Sequence, residues 1–187
     1  LPRHLRDEEV GRLLQVVRHQ RDRAMVMLML RCGLRVEEVS RLKLAALDLR
    51  RSQVFVHYGK GAKDRVVYLS DDAYEALVQY LRVRPASRVK EVFLVDKGRC
   101  RGKAISVRGI QKRLEYYARQ ARLKVSCHQL RHTMATQLLN AEAALVTIQD
   151  LLGHTRIKTT QRYCRVSNLK VQRDYHRAMA AILQITG

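Results

Sequence analysis

Seven side chains that can handle a phosphate ester follow one another along the chain. They are two arginines, a glutamate, a lysine, two histidines and a tyrosine, namely Arg35, Glu38, Lys60, His128, Arg131, His154 and Tyr163. Cleavage of a phosphodiester without a metal needs cations on the non-bridging oxygens, an acid for the leaving oxygen, a base, and a nucleophile held in line. The guanidinium fork suits the first task because it offers paired donors in fixed geometry. The set therefore fits metal-free phosphoryl transfer.

The densest part of this set lies in residues 126–163, where the sequence predicts three short helices. His128 and Arg131 are spaced i, i+3, so a helix that begins there places both on one face. Gly153 ends the next helix, and His154 follows directly in the turn. Tyr163 closes a basic helix that contains threonines. A hydrophobic core does not need this collection, whereas a phosphate site can use it.

Each of these residues also has a plainer reading. Tyr163 is one of eight tyrosines, helix arginines are usually solvent-exposed charges, and Lys63 shares the predicted turn with Lys60. The HQLRH motif has the histidine spacing of a zinc helix, but Gln129 replaces the acid of HExxH, which leaves His132 a structural role. The sequence shows no acidic cluster for two-metal catalysis and no GxxxxGKS/T loop. No metal and no cofactor are therefore predicted.

The charge of the chain points to a polyanionic partner. Its 187 residues contain 37 Lys and Arg against 17 Asp and Glu, a formal net charge of +20. Such an excess repels itself unless a partner relieves it, so nucleic acid is favoured over a merely soluble basic protein. The hydrophobic fraction of 47% is ordinary for a folded chain with one sizeable core.

The four cysteines stand far apart and form no CxxC pair; they are Cys32, Cys100, Cys127 and Cys164. This spacing disfavours a zinc module and a disulfide framework and fits a reducing cytosol. No signal peptide is visible, and the longest apolar run, residues 24–30, is too short to span a membrane. A cytoplasmic protein without a membrane partner is expected.

Apolar residues that recur every three or four positions predict further amphipathic helices. One starts from an N-cap at Asp7, one covers about 21–32 and stops at Gly33, and one begins at about Arg35. Others are expected at about 71–84, 107–121 and 168–185.

Alternating apolar residues at 52–59 and 65–70 predict a β-hairpin that carries Lys60 at its bend, and 91–96 predicts a third strand. The patterns together indicate a single, mainly α domain over 1–187 with a small antiparallel β-sheet at one edge, an α+β fold.

Five motifs, in this order, resemble the catalytic domain of tyrosine recombinases of the Xer and phage-integrase type. They are LPRHLRDEEVGRLL at the start, GLRVEEV at 33–39, GKGAKDRVVYL at 59–69, HQLRHTMAT at 128–136 and LLGHTRIKTTQRY at 151–163. GLR alone would be weak, but five motifs with their order and spacing preserved are specific. Cys127, where relatives often carry proline, is a departure that removes no catalytic group.

The resemblance implies a role for each of the seven residues. Tyr163 would attack the scissile phosphate, leaving a 3′-phosphotyrosine and a free 5′-hydroxyl, while Arg35 and Arg131 would hold the non-bridging oxygens. Lys60 would protonate the leaving oxygen, and His128 would be the acid or base toward the tyrosine. His154 would hydrogen-bond a phosphate oxygen, and Glu38 would orient Arg or His in the site. Neither ATP nor metal would be needed.

The resemblance also concerns the rest of the protein. Relatives carry a separate helical, core-binding DNA domain upstream, and this chain is expected to lack it. The basic loop and helix start after the third predicted strand are candidate DNA-backbone contacts, namely Lys97, Arg99, Arg101, Lys103 and Arg108. On the following helix Lys112, with Gln111 and Arg113, could reach a groove, and Arg156 and Lys158 flank the tyrosine helix. The plainer reading of these residues is a solvated basic face.

Three functions fit this sequence. The leading one is a site-specific DNA recombinase acting on double-stranded DNA; the others are an inactive DNA-binding module of the same fold and a type IB topoisomerase-like enzyme. The terminal helix has Val171, Tyr175, Met179 and Ile182 in register. It could pack on its own domain, or dock on a neighbour within a homo-tetramer on DNA whose subunits are monomers in isolation.

Overall fold

The computed structural model describes residues 4–57, 64–141, 143–153 and 168–186, without the side chains of 168–170 and 186. Helices in this part of the chain are α1 (Asp7–Val16), α2 (Gln20–Arg31), α3 (Val36–Arg41), α4 (Asp71–Val83), α5 (Val107–Gln120), α6 (Cys127–Asn140), α7 (Leu145–Leu152) and α8 (Asn168–Thr186). A 3₁₀ turn at Leu44–Ala46 precedes the strands. The predicted mainly α fold is confirmed.

Helix α2 is the centre of the main core. Its apolar run at 24–30 is buried on all sides, because α4, α5 and α6 pack around it. A helix that is hydrophobic all round has to be enclosed in this way. It ends with Cys32 as C-cap and Gly33 at a left-handed φ of +69°, as the sequence predicts.

The sheet has three antiparallel strands, β1 (Leu47–Asp48), β2 (Gln53–Val56) and β3 (Arg65–Tyr68), in the order β1-β2-β3. The hairpin of β2 and β3 is thus confirmed, with its bend outside the described residues. The third strand predicted at 91–96 is wrong. That segment forms only isolated bridges, from Glu91 to Lys43 and from Leu94 to Ala104. The segments that contain Lys43 and Ala104 pair with it at one residue each, so no continuous ladder of hydrogen bonds forms.

The first helix begins one residue earlier than its predicted cap implies. Arg6, not Asp7, is the N-cap, with extended backbone angles. The carboxylate of Glu9 at the third helical position accepts the Arg6 N–H at 2.9 Å, which fixes the start there. Asp7 instead lies in the first turn, where the helix dipole favours an acid, and accepts a hydrogen bond from Gln137 at 2.8 Å.

Helix α8 packs on its own chain. Its predicted stripe is buried in a second apolar cluster with residues of α6 and α7, and the helix also contacts α1. Tyr175 is fully buried, and its hydroxyl donates to the carbonyl of Arg31 at 3.2 Å. Of the two arrangements expected for the terminal helix, the structure has the intramolecular one. No helix among the described residues has the length and apolar character to cross a bilayer.

Gly33→Ala is expected to lower the free energy of unfolding by about 1–3 kcal/mol, because an alanine there is strained and crowded. Its Cβ would lie 3.2 Å from Leu152 Cδ2 and 3.3 Å from Met134 Sδ. Urea unfolding measures the loss. Gly98→Ala is the matched control, since Gly98 has a φ of +79° with no atom within 4 Å of an added Cβ. Equal losses in the two variants would contradict the contribution of close packing.

Candidate active site

Helix α6 places His128 and Arg131 one turn apart. Its N-cap, Ser126, forms a capping box with Gln129: the serine Oγ accepts the Gln129 N–H at 3.3 Å, and the Gln129 side chain accepts the Ser126 N–H at 2.9 Å. This box starts the helix immediately before His128, which is exposed. Arg131 is buried on the inner side of the same helix. The predicted pair is therefore presented by one rigid element.

Arg131 connects the C-terminal ends of two helices. Its guanidinium donates to the carbonyls of Gly33, just after α2, and of Leu152, in the last turn of α7. Helix C-termini carry such unpaired carbonyls and favour a cation. Burial, together with the neighbouring charges of Arg35 and Arg65, lowers the pKa of Arg131 to about 9. The group remains charged at neutral pH, at an energetic cost that an anion would offset.

Glu38 brings Arg35 into this site. Arg35 is the N-cap of α3, and its N–H donates to Glu38 Oε2 at 2.7 Å. Its guanidinium also donates to Glu38 Oε1 at 3.0 Å, and the Arg35 side chain is 35% exposed. Arg35 therefore reaches solvent from a fixed position, and Glu38 contacts it as the sequence predicts.

Arg65, which sequence reasoning did not single out, lies at the centre of the cluster. Its two terminal nitrogens donate to Glu38 Oε1 at 2.9 Å and Oε2 at 2.8 Å, and its Nε donates to the carbonyl of Leu151 at 2.7 Å. Burial lowers the pKa of Arg65, while Glu38 opposes that shift. A signal was available, because strand alternation puts Arg65 on the same inward face as Val67.

The cluster has an excess of positive charge. In the described part of the chain, three guanidiniums, those of Arg35, Arg65 and Arg131, lie around the carboxylate of Glu38. Arg35, His128 and Arg131 line one open depression of about 590 Å³. Arg108, a predicted DNA contact, lines it as well, and so do the carboxylates of Glu37 and Glu115, which the three arginines outnumber. A buried cation is stabilised by a nearby negative charge, so the depression is suited to an anion with several oxygens.

The remaining predicted residues of the site and of the tyrosine helix lie outside the described residues: Lys60, His154, Arg156, Lys158 and Tyr163. The structure describes the chain up to Gly153, directly before His154. Gly153 has a φ of +60° and ends α7, as expected from the sequence. Because Arg65 and Arg131 hold the carbonyls of Leu151 and Leu152, the last turn of α7 is fixed at the edge of the arginine cluster.

The zinc-helix alternative gains no support from the described residues. Among them, no three side chains of the metal-binding types converge on one point. His132 instead has its ring edge-on to that of His4, with centroids 6.3 Å apart. Burial lowers the pKa of His132, which favours the neutral ring.

The basic loop is exposed and its base is anchored. Its cationic side chains, and those at the start of α5, face solvent: Lys97, Arg99, Arg101, Lys103, Arg108 and Lys112. The buried Arg21 donates to the carbonyl of Leu94 at 3.0 Å and to the carboxylate of Asp96 at 2.9 Å. The anchor holds the start of the loop close to α2.

Arg113, a predicted groove contact, is hydrogen-bonded within the fold, and its contact with DNA stays a prediction. Its Nε donates to Asp22 Oδ2 at 2.7 Å, and a terminal nitrogen donates to the Tyr117 hydroxyl at 2.8 Å. Tyr117 in turn donates to the same carboxylate oxygen at 2.9 Å. Burial, with a contribution from Asp22, raises the pKa of Tyr117 to about 12. The guanidinium is thus part of the packing between α2 and α5.

Comparison with known sequences adds a decisive match. The profile of the Phage integrase family matches residues 3–170. The chain belongs to the phage integrase family. Among curated relatives, tyrosine recombinase XerA of Thermococcus kodakarensis is 41% identical over 169 residues, covering 89% of this chain and 59% of that protein. Tyrosine recombinase XerC of Pelotomaculum thermopropionicum is 36% identical over 193 residues, covering 95% of this chain and 62% of that protein. The chain thus spans less than two thirds of these relatives.

Solved structures of phage integrase family proteins share the fold. The crystal structure of XerA recombinase superposes with a TM-score of 0.76 at 29% identity, covering 94% of this chain and 64% of that one. The integrase of mycobacterium phage Brujita also gives 0.76, at 26% identity, covering 100% of this chain and 64% of that one. XerH bound to its difH substrate before cleavage gives 0.70 at 27% identity, covering 94% and 50%. The resemblance drawn from the five motifs is confirmed.

Proposed function

We propose that this chain is the catalytic domain of a site-specific DNA recombinase, which cleaves and rejoins DNA strands through a covalent 3′-phosphotyrosine at Tyr163. The observation that carries the proposal is the arginine cluster: Arg35 and Arg131 line one depression with His128, and guanidiniums outnumber carboxylates among the described residues there. Membership in the phage integrase family, whose relatives are named tyrosine recombinases, supports the same activity.

The arginines stabilise the charge that develops at phosphorus. A DNA phosphodiester carries one negative charge, which grows on the non-bridging oxygens as the nucleophile adds. Arg35 and Arg131 donate to those oxygens from positions fixed before the substrate arrives, so little reorganisation is needed at the transition state. The partial burial of this cluster strengthens the interaction, because fewer waters screen it.

The chemistry is a transesterification in which every bond broken is replaced. The Tyr163 phenol gives its proton to His128, and its oxygen bonds to phosphorus while the 5′ oxygen leaves with a proton from Lys60. His154 donates to a phosphate oxygen. The 5′-hydroxyl of another strand later attacks the phosphotyrosine and frees the phenol. Because the ester energy is kept in the intermediate, no nucleotide is consumed.

The partner in this proposal is double-stranded DNA. Its support from the solved structures is XerH, which is bound to its difH substrate. The exposed cations of the loop at 97–103 contact the backbone, and Lys112 faces solvent on the next helix. The homo-tetramer on DNA stays a prediction, since α8 packs its apolar stripe on its own chain. A recombinase of this kind acts in the cytoplasm of a prokaryotic cell and is encoded by the cell or by a phage.

Trapping the covalent complex tests the proposal. DNA sites selected by the protein from a random pool are nicked close to the cleavage position, so that the short product diffuses away and ligation cannot reverse the step. We expect a complex that survives denaturation and whose modified peptide contains Tyr163. DNA binding without a complex would leave the inactive-module reading, and attachment at another side chain would refute the assignment. Relaxation of supercoils without paired sites would favour the topoisomerase-like reading.

Replacing Arg99 and Arg101 with glutamine is expected to flatten the salt dependence of DNA binding. Each phosphate contact contributes about 0.9 to the slope of log K against log salt, so the pair should lower the slope by up to about 2. Titrations between about 50 and 200 mM salt measure it. Arg82→Gln, at an exposed arginine of α4, is the control. An unchanged slope in the double variant would show that Arg99 and Arg101 do not contact DNA phosphates.

A further inference from the structure

Arg65 connects three separate segments of the site. It is the first residue of β3, and its side chain is 6% exposed. From there it reaches Glu38 on α3 with two parallel hydrogen bonds and the Leu151 carbonyl on α7 with a third. Paired N–H donors on one carboxylate fix orientation as well as distance. The side chain therefore joins the sheet, α3 and α7 at one point.

Two of these connections lead to the phosphate-binding arginines. Glu38 also accepts from the backbone and the guanidinium of Arg35, so a displaced Glu38 would displace Arg35. On the other side, the carbonyl held by Arg65 belongs to Leu151, and the next carbonyl along the chain, that of Leu152, accepts from Arg131. A shift of the last turn of α7 would thus move Arg131.

Arg65 also changes the charge available to a ligand. Both oxygens of the Glu38 carboxylate are engaged by the Arg65 fork, whereas the Arg35 guanidinium bonds to Oε1 at 3.0 Å. The Arg65 charge offsets that of Glu38. The positive charge of Arg35 and Arg131 consequently remains for an anion in the depression that they line.

We propose that Arg65 is a positioning residue for strand cleavage: it neutralises and orients Glu38 and fixes the end of α7, so that Arg35 and Arg131 meet the phosphate in one geometry. This inference rests on the proposed function. Each of its three nitrogens donates to Glu38 or to Leu151, so Arg65 acts through these neighbours.

The test compares Arg65→Met and Arg65→Lys with a matched control, Arg84→Met. Arg84 is also a partly buried arginine that donates to backbone carbonyls, those of Val89, Glu91 and Val92, but it lines none of the site. Single-turnover cleavage is measured at saturating DNA, with either a phosphate or a neutral methylphosphonate at the scissile position. Urea unfolding monitors stability in all three variants.

Arg65→Met is expected to cleave the phosphate about 100-fold more slowly than the wild type, the usual cost of misplaced catalytic groups. On the methylphosphonate the difference should fall below about tenfold, because an uncharged substrate has less need of the arginine clamp. Arg65→Lys should lie between, since lysine keeps the charge but loses the fork. Arg84→Met should cleave both substrates at the wild-type rate, whatever its stability.

Equal losses on both substrates in Arg65→Met would overturn the inference, because a merely structural defect does not distinguish their charges. A wild-type rate for Arg65→Met would overturn it too. Failure of the wild-type protein to cleave either substrate would instead refute the proposed function.

Hydrogen exchange on the free protein then decides whether Arg65 holds its neighbours: Arg65→Met must exchange faster in the first turn of α3 and the last turn of α7, with α4 unchanged. Unaltered exchange there overturns the inference.

Discussion

Tyr163→Phe is expected to form no covalent complex with DNA, while its DNA affinity stays within about twofold of the wild type. The substitution removes one oxygen, which is the proposed nucleophile, and keeps the aromatic ring. Loss of a nucleophile with the rest of a site intact lowers the rate by about 10⁴-fold or more. Denaturing gels on nicked substrates measure the complex, and binding titrations measure the affinity.

The control for this prediction is Tyr116→Phe. Tyr116 is exposed on α5, near the proposed DNA-binding face, and its hydroxyl accepts a hydrogen bond from Gln120 at 2.8 Å. That variant should form the complex at the wild-type rate. If Tyr163→Phe formed a covalent complex, another side chain would be the nucleophile, and peptide mapping would identify it.

The helices could be predicted because apolar periodicity is a local property. The stripe of α8 and that of α5, with Ile110, Leu114 and Tyr117, are buried as the spacing requires. Strand formation depends on a partner that the sequence does not display. Residues 91–96 have the composition of a strand, but lie between segments that pair with them only at isolated positions. The strand that completes the sheet is β1, which is two residues long and carries no comparable pattern.

The candidate site shows the same division. Motif and spacing were sufficient to predict that Arg35, His128 and Arg131 meet, and the structure places them around one depression. The role of a charged side chain, however, depends on what packs beside it. The sequence predicts a groove contact for Arg113 but does not indicate its hydrogen bond to Asp22, 91 residues earlier in the chain. Arg65 reads as a hairpin charge until its inward position brings it to Glu38, at a separation of 27 residues. Such contacts follow from tertiary packing.

Arg131 combines a structural and a chemical role, which makes its substitution the second severe change. Arg131→Lys should lower the single-turnover cleavage rate by about 10²–10³-fold, the usual cost of losing one preorganised donor to a developing oxyanion. Lysine cannot donate to the Gly33 and Leu152 carbonyls and to a phosphate at once with a rigid fork. A buried carbonyl without its donor costs about 1–3 kcal/mol, so the free energy of unfolding should fall as well.

Arg35→Lys separates the two effects. The Arg35 side chain is 35% exposed, and its guanidinium donates to Glu38 Oε1 at 3.0 Å. We therefore expect a cleavage loss of about the same size as for Arg131→Lys, with stability changed by less than about 1 kcal/mol. Stopped-time cleavage assays and urea unfolding on both variants check this. A catalytic loss confined to Arg131→Lys would mean that the last turn of α7, rather than the charge at the phosphate, controls the reaction. Losses in both variants, with unfolding affected only at Arg131, would establish that two guanidiniums share one phosphate while one of them also holds the fold.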